Sequence, residues 1–213
     1  VSVAKGLNTG AEAFDPTFTG TFGLMDESVY FNSDGGDFFT AGSRHTETDT
    51  WNMPGADGTV LAVVQFTGGP HFIFNLLING TTRSVYFQIA STGVPVFYHG
   101  QVTGPTNEAV TPSSLFVAQS QWTFIAFAFS DSATSVDFVV NGKSETVSML
   151  ASVETTPNNN RPMIWNDSLG TGVNVPAANS RYACLGLFTN RLTLTQLNNI
   201  YRALKLRRFK SMG

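Results

Sequence analysis

The run Gln121-Trp122-Thr123-Phe124-Ile125-Ala126-Phe127-Ala128-Phe129 decides the fold, together with Ser135-Val136-Asp137-Phe138-Val139-Val140 and Asn141-Gly142-Lys143 after it. A strand with one buried face alternates apolar and polar residues. One that is apolar on both faces, as 122–129 is, belongs at the centre of a sheet with a layer on each side. The second run ends in Asn141-Gly142, a pair that tolerates positive φ at both residues. The chain is therefore expected to reverse there and return as a strand over 143–147.

The same grammar extends outward. Strands are expected over 60–66, broken by Gly68-Gly69-Pro70, and over 71–78 and 84–90, which flank Asn79-Gly80 and a loop completed by Thr81-Thr82-Arg83. Another is expected over 94–98, ending at His99-Gly100. Short strands punctuated by turn residues, with almost no helix, read as a sandwich. One helix is expected near the end. Thr193 and Gln196 form a capping box, and Leu194, Leu197, Tyr201 and Leu204 then recur at spacings of three and four. Residues 1–20 are polar and aperiodic and read as an extended N-terminal arm, 21–206 as the sandwich domain, and 207–213 as a basic C-terminal tail.

Charged residues are 13% of the chain, about half the usual share of roughly 25%. Phenylalanine, glycine and hydroxyl and amide side chains take their place. A surface of that kind suits an extracellular or virion-surface location. A chain of this length buries about 70% of its unfolded surface and needs no staple; the single Cys184 excludes an intrachain disulfide. No apolar stretch reaches the ~18 residues a spanning helix needs, and residues 1–10 hold no apolar run. No membrane partner is expected, and export would use a removed signal or a virus particle.

Charge is split along the chain. All 15 acids lie within residues 1–167, against Lys5, Arg44, Arg83, Lys143 and Arg161; after that come Arg181, Arg191, Arg202, Lys205, Arg207, Arg208 and Lys210 with no acid. Such a split suits head-to-tail packing of copies, hence a homo-oligomer, with other protein subunits meeting the arm and the basic C-terminus. A basic helix end that complements its own dipole accounts for the last bases equally well. Few aromatics interleave with these bases and the chain is acidic overall (pI ≈ 5.5), so nucleic acid is not expected as a partner.

Three stretches in order resemble the laminin-G-like and pentraxin-like branch of the concanavalin A-type jelly rolls. Residues 59–66 resemble the early family strand. Gln121 to Phe129 with Asn141-Gly142-Lys143 resemble its tryptophan strand and hairpin, and Leu185-Gly186-Leu187-Phe188 with Asn190-Arg191-Leu192-Thr193 resemble its closing strand and helix. The resemblance implies an all-β, two-sheet antiparallel jelly-roll sandwich with one short C-terminal helix packed on its edge. It says little about ligand, because this fold hosts lectins, adhesion modules, glycanases, lyases and virion proteins. The family's closing strand often carries an Asp-Glu pair, which 182–187 lacks.

Glycan hydrolysis needs two carboxylates flanking the scissile bond. Glu47-Thr48-Asp49 matches half of the family's acidic strand, but Thr50-Trp51-Asn52 follows where the third acid should be. No spacing singles out His71, His99 or Tyr98 as a lyase base. A non-enzymatic role is expected. Its binding residues are Trp165, Asn166 and Asp167, where an indole face stacks on a sugar and the polar neighbours bond hydroxyls, with Trp51 as a second loop aromatic. Trp122 is expected in the core. Asp34 and Asp37 around Gly35-Gly36 offer oxygen ligands for calcium, though the same letters spell an ordinary turn. His45, Glu47 and Asp49 alternate as metal ligands can, or as a solvent-facing edge strand does. Asn79 and Asn166 begin N-glycosylation patterns. The chain thus reads as a lectin-like module for a glycan or surface receptor, or alternatively as a structural virion component acting by assembly.

Overall fold

The fold is organised around the all-apolar strand. The computed structural model describes residues 17–18, 21–25, 28–32, 39–40, 57–78, 83–100, 107–130, 132–153, 162–164, 180–188 and 190–207. Among them the strands are β1 (Thr17–Phe18), β2 (Thr21–Met25), β3 (Ser28–Asn32), β4 (Phe39–Thr40), β5 (Asp57–Gln65), β6 (His71–Ile78), β7 (Arg83–Ile89) and β8 (Pro95–Gly100). They continue as β9 (Asn107–Val110), β10 (Trp122–Ser130), β11 (Ser135–Val140), β12 (Lys143–Ser148), β13 (Pro162–Ile164) and β14 (Arg181–Phe188), and the helix is α1 (Leu194–Arg207). One sheet runs β1-β4-β13-β6-β7-β8-β9; the other runs β12-β11-β10-β5-β14-β3-β2. The first is called the front sheet below and the second the back sheet. All strand pairs are antiparallel, as in a jelly-roll sandwich.

Every residue of β10 is buried, and its two faces serve two cores. Ile125, Phe127 and Phe129 point between the sheets, where Val60, Ala62, Val64, Phe74, Phe87, Phe97 and Phe138 join them. The aromatic rings interlock there: Phe87 meets Phe127 at 4.8 Å and Phe97 stacks on Phe129 at 5.3 Å between centroids. Trp122, Phe124, Ala126 and Ala128 point the other way and, with Leu61, Val63 and Val139, form a second cluster against Leu192 and Leu197. Trp122 is thus a core residue, on the helix side.

This second cluster corrects one expectation. The helix packs on the outer face of the back sheet, not on the sandwich edge, because that face is itself apolar and needs a cover. Leu194, Leu197, Tyr201 and Leu204 supply it. The capping box forms as expected: the Thr193 N–H donates to Gln196 Oε1 at 2.8 Å, and the Gln196 N–H donates to Thr193 Oγ1 at 3.2 Å. Within the stretch read as an arm, Thr17–Phe18 pair with Phe39–Thr40 at the edge of the front sheet. Arg83, read as loop, pairs with Ile78.

Two glycines make close approaches possible. Asn141 and Gly142 have φ of 47° and 82°, the positive pair that closes the β11–β12 hairpin. A Cβ on Gly142 would lie 2.9 Å from the Tyr201 ring, so the turn also seats the helix. On β14, a Cβ on Gly186 would lie 2.9 Å from Leu61 Cδ1; the missing side chain is the space Leu61 fills.

Polar groups fasten the ends. Arg191, which the charge pattern had grouped with the basic C-terminal surface, instead faces inward: Nε and Nη2 donate to Asp137 Oδ2 at 3.1 and 2.7 Å, and Nη1 donates to Ser135 Oγ at 3.0 Å. The Thr59 hydroxyl donates to the Asn190 carbonyl and accepts from the Leu192 N–H, at 2.8 and 2.9 Å. Both sets fix the segment that launches the helix. Close by on β12, Glu145 accepts from the N–H and hydroxyl groups of Ser113 and Ser114, clamping the crossover between the sheets.

Candidate functional site

The helix occupies the outer face of the back sheet, so the outer face of the front sheet is where a site is sought. Its side chains follow from alternation. Phe87 and Phe97 are wholly buried between the sheets; their neighbours Tyr86 and Tyr98 must therefore point outward. The short β7–β8 turn holds its geometry through Ala90 and Gly93, with the Ala90 N–H donating to the Val94 carbonyl and the Gly93 N–H to the Ala90 carbonyl, both at 2.8 Å. That turn sets Tyr86 directly opposite Tyr98.

The two rings stack, with centroids 4.3 Å apart and planes 11° from parallel. Both are half-buried. The register continues Asn75, Tyr86, Tyr98, Ala109 across β6 to β9. Ala109 is exposed and small, so the flank of Tyr98 toward β9 is not walled off by its strand neighbour. Gln88, half-buried, lies two residues from Tyr86 on the same face. Burial, and then the nearby Tyr98, push the Tyr86 hydroxyl well above the ordinary phenol range. It is a neutral hydroxyl across physiological pH. The arrangement offers aromatic faces with hydroxyl and amide groups at their rim, a surface for stacking and hydrogen bonding rather than proton transfer.

The other candidates divide sharply. Trp51, Trp165, Asn166, Asp167, Asp34 and Asp37 all lie outside the described residues, as do His45, Glu47, Asp49 and Asn79. His71 and His99 are wholly buried inside the sandwich, whereas Tyr98 faces out; these three do not converge. His99 instead bonds Glu108 at 3.1 Å, and Glu108 in turn accepts from the Leu150 N–H, at 2.8 Å to Oε1. Among the described residues, no group of three or more His, Cys, Asp or Glu is placed to hold a metal ion. The stacked pair was missed in the sequence because each tyrosine sits in a run rich in other aromatics. The signal was there: centring the turn on Thr92 puts 86 opposite 98.

No protein-family model matches the chain, and no curated protein matches it. Solved structures do. It is similar to the receptor-binding domain of botulinum neurotoxin C/D mosaic serotype (TM-score 0.61, 12% identity, covering 92% of this chain and 48% of that one). It is similar also to a native heptameric SAP-like pentraxin from Limulus polyphemus (TM-score 0.53, 14% identity, 74% and 76%). A third likeness is to Trypanosoma rangeli sialidase in complex with sialic acid (TM-score 0.63, 13% identity, 91% and 30%). The chain spans about half the length of the toxin domain and 30% of the sialidase. At these identities the likeness shows the fold: a two-sheet antiparallel β-sandwich of the jelly-roll kind with one short helix.

Proposed function

We propose that this chain is a non-catalytic, lectin-like module of the concanavalin A-type jelly rolls, in their laminin-G-like and pentraxin-like branch, that binds a glycan or glycan-bearing surface receptor. The observation that carries the reading is the stacked Tyr86–Tyr98 pair on the sheet face that the helix leaves uncovered. Sugar rings present apolar C–H faces ringed by hydroxyls, and an aromatic with a polar tip complements both. Structures with this shape include a toxin's receptor-binding domain and a sialidase holding sialic acid, which supports a carbohydrate class of ligand. Trp51, Trp165, Asn166 and Asp167 are expected to contribute to the ligand surface in this reading, with calcium at Asp34 and Asp37 and display outside the cell or on a virion. His71 and His99 are wholly buried, so neither is placed to act as a lyase base toward a ligand on this face.

A glycan array followed by calorimetry on the best ligand tests it. Tyr98→Ala is expected to weaken binding about tenfold, the equivalent of one aromatic contact of about 1.4 kcal/mol, without loss of the fold. Unchanged affinity would remove the front-sheet face from the site; no bound glycan, with and without calcium, would defeat the reading.

A second reading, assembly as a structural virion component through the arm and basic tail, is favoured by one observation: Leu206 is 75% exposed at the helix end, near exposed Arg202. Light scattering separates the two. A stable oligomer that Leu206→Asp dissolves would support assembly, and a monomer would support the binding module.

A further inference from the structure

At one end of the sandwich the two sheets meet through a histidine. His71 opens β6 of the front sheet and is wholly buried. Its ring stacks on Tyr182 of β14, in the back sheet, with centroids 4.5 Å apart and planes 30° from parallel. Phe66 meets it in an edge-to-face arrangement at 5.9 Å. Among the described residues, neither ring nitrogen has a hydrogen-bond partner. A neutral imidazole carries one donor and one acceptor, and its cation two donors, so leaving both unpaired is an expense that a phenylalanine of similar shape would avoid. The position therefore holds a group that packs as an aromatic ring when neutral and becomes an uncompensated charge once protonated.

We propose that His71 is an acid-operated latch: neutral, it joins the sheets through its stack on Tyr182; protonated, it forces that end of the sandwich open to water. Among the described residues, the groups packed against it offer no counter-charge. Tyr182 is titratable, but burial raises its phenol well above the usual value, so it stays neutral throughout the acid range. Phe66, the residue after β5, and Ile89, the register partner on β7, carry no charge. Burial also depresses the imidazole itself from 6.5 to about 3. A folded-state value below the unfolded one means that stability is full above 6.5 and is lost as the pH falls below it. The opening constant then rises about tenfold per pH unit until the folded-state value is reached.

The test is urea unfolding of the wild type and His71→Phe across pH 7 to 4. The wild-type unfolding constant, relative to that of the variant, is expected to climb about 16-fold between pH 6.5 and 5. Parallel curves would overturn the proposal. Amide exchange at pH 5 is expected to accelerate first in His71–Ile78 and Arg181–Phe188; a uniform rise over the fold would refute local opening. Should His71→Phe not fold, carbon-13 NMR of the wild-type ring decides the matter. The latch requires the ring to stay neutral until the folded signals disappear, and titration near 6.5 within the intact fold would sink it.

Discussion

Replacing Arg191 by methionine should unfasten the helix from the sandwich. The guanidinium makes two bonds to Asp137 and one to Ser135, and the Asp137 side chain is only 7% exposed against 23% for Arg191. Without the arginine, the carboxylate keeps the Thr146 hydroxyl as a donor and faces an apolar neighbourhood. Removing one partner of a buried pair costs about 3–5 kcal/mol, whereas an exposed pair contributes about 0–1. The partial exposure of Arg191 places the loss near the lower bound, about 3 kcal/mol. Against a total of roughly 5–15 kcal/mol for a folded domain, that is a large fraction. Urea unfolding followed by tryptophan fluorescence reads it as a lower midpoint at unchanged slope. Adding Asp137→Asn to the variant should recover part of the loss, since a neutral amide does not need the cation. A loss under about 1 kcal/mol, or no recovery with asparagine, would show the pair to be screened by solvent and irrelevant to the helix.

Other outcomes follow from the same geometry. Gly142→Ala should lose about 1–3 kcal/mol in the same assay, from positive φ and the clash with Tyr201; Tyr201→Ala in the same chain should relieve the steric share. Thr193→Ala should lose about 1 kcal/mol, the value of an N-cap, seen as a lower melting temperature and more rapid amide exchange in the first helical turn. Phe127→Ala, emptying the middle of the inter-sheet core, should cost about 3–5 kcal/mol by urea titration. The Ser113 N–H first, then the Ser114 hydroxyl, hold the Glu145 carboxyl down at about 2. A depressed acid stabilises the fold above its unfolded value and loses that contribution as pH falls. The stability gap between wild type and Glu145→Gln should therefore close between pH 4.5 and 2, and a gap independent of pH would refute the clamp.

The layers of the fold were legible where one strand carried the whole signal. The unbroken apolar run of 122–129 implied cover on both sides, and the structure supplies a sheet on one and a helix on the other. Asn141-Gly142 placed its hairpin because positive φ at two adjacent residues is a local demand that few residue pairs meet. The helix cap was equally local. Its docking place was not: helix periodicity says that one face is buried but not against what, and the answer lies in Leu61 and Val63, more than a hundred residues earlier. The partners of Arg191 are hidden for the same reason, being 54 and 56 positions away. The strands at Asn107–Val110 and Thr21–Met25 are short and only weakly patterned, so their pairing comes from neighbours rather than from their own residues. The stacked tyrosines depend on a hairpin register that a one-residue slip would have inverted.

The order of strands in the back sheet bears on how the chain is made. β5 lies between β10 and β14, so a strand from the first third of the chain waits for partners that are translated much later. At ~5–20 residues per second on a ribosome, β14 emerges roughly 6–25 s after β5 is complete. During that interval Leu61, Val63 and later Trp122 and Phe124 present apolar surface whose final cover, the helix, comes later still. Vectorial synthesis thus leaves this sheet face sticky until the helix arrives. A product that stops short of Leu204 lacks that cover and is expected to aggregate, a cost set by the wiring of this sheet.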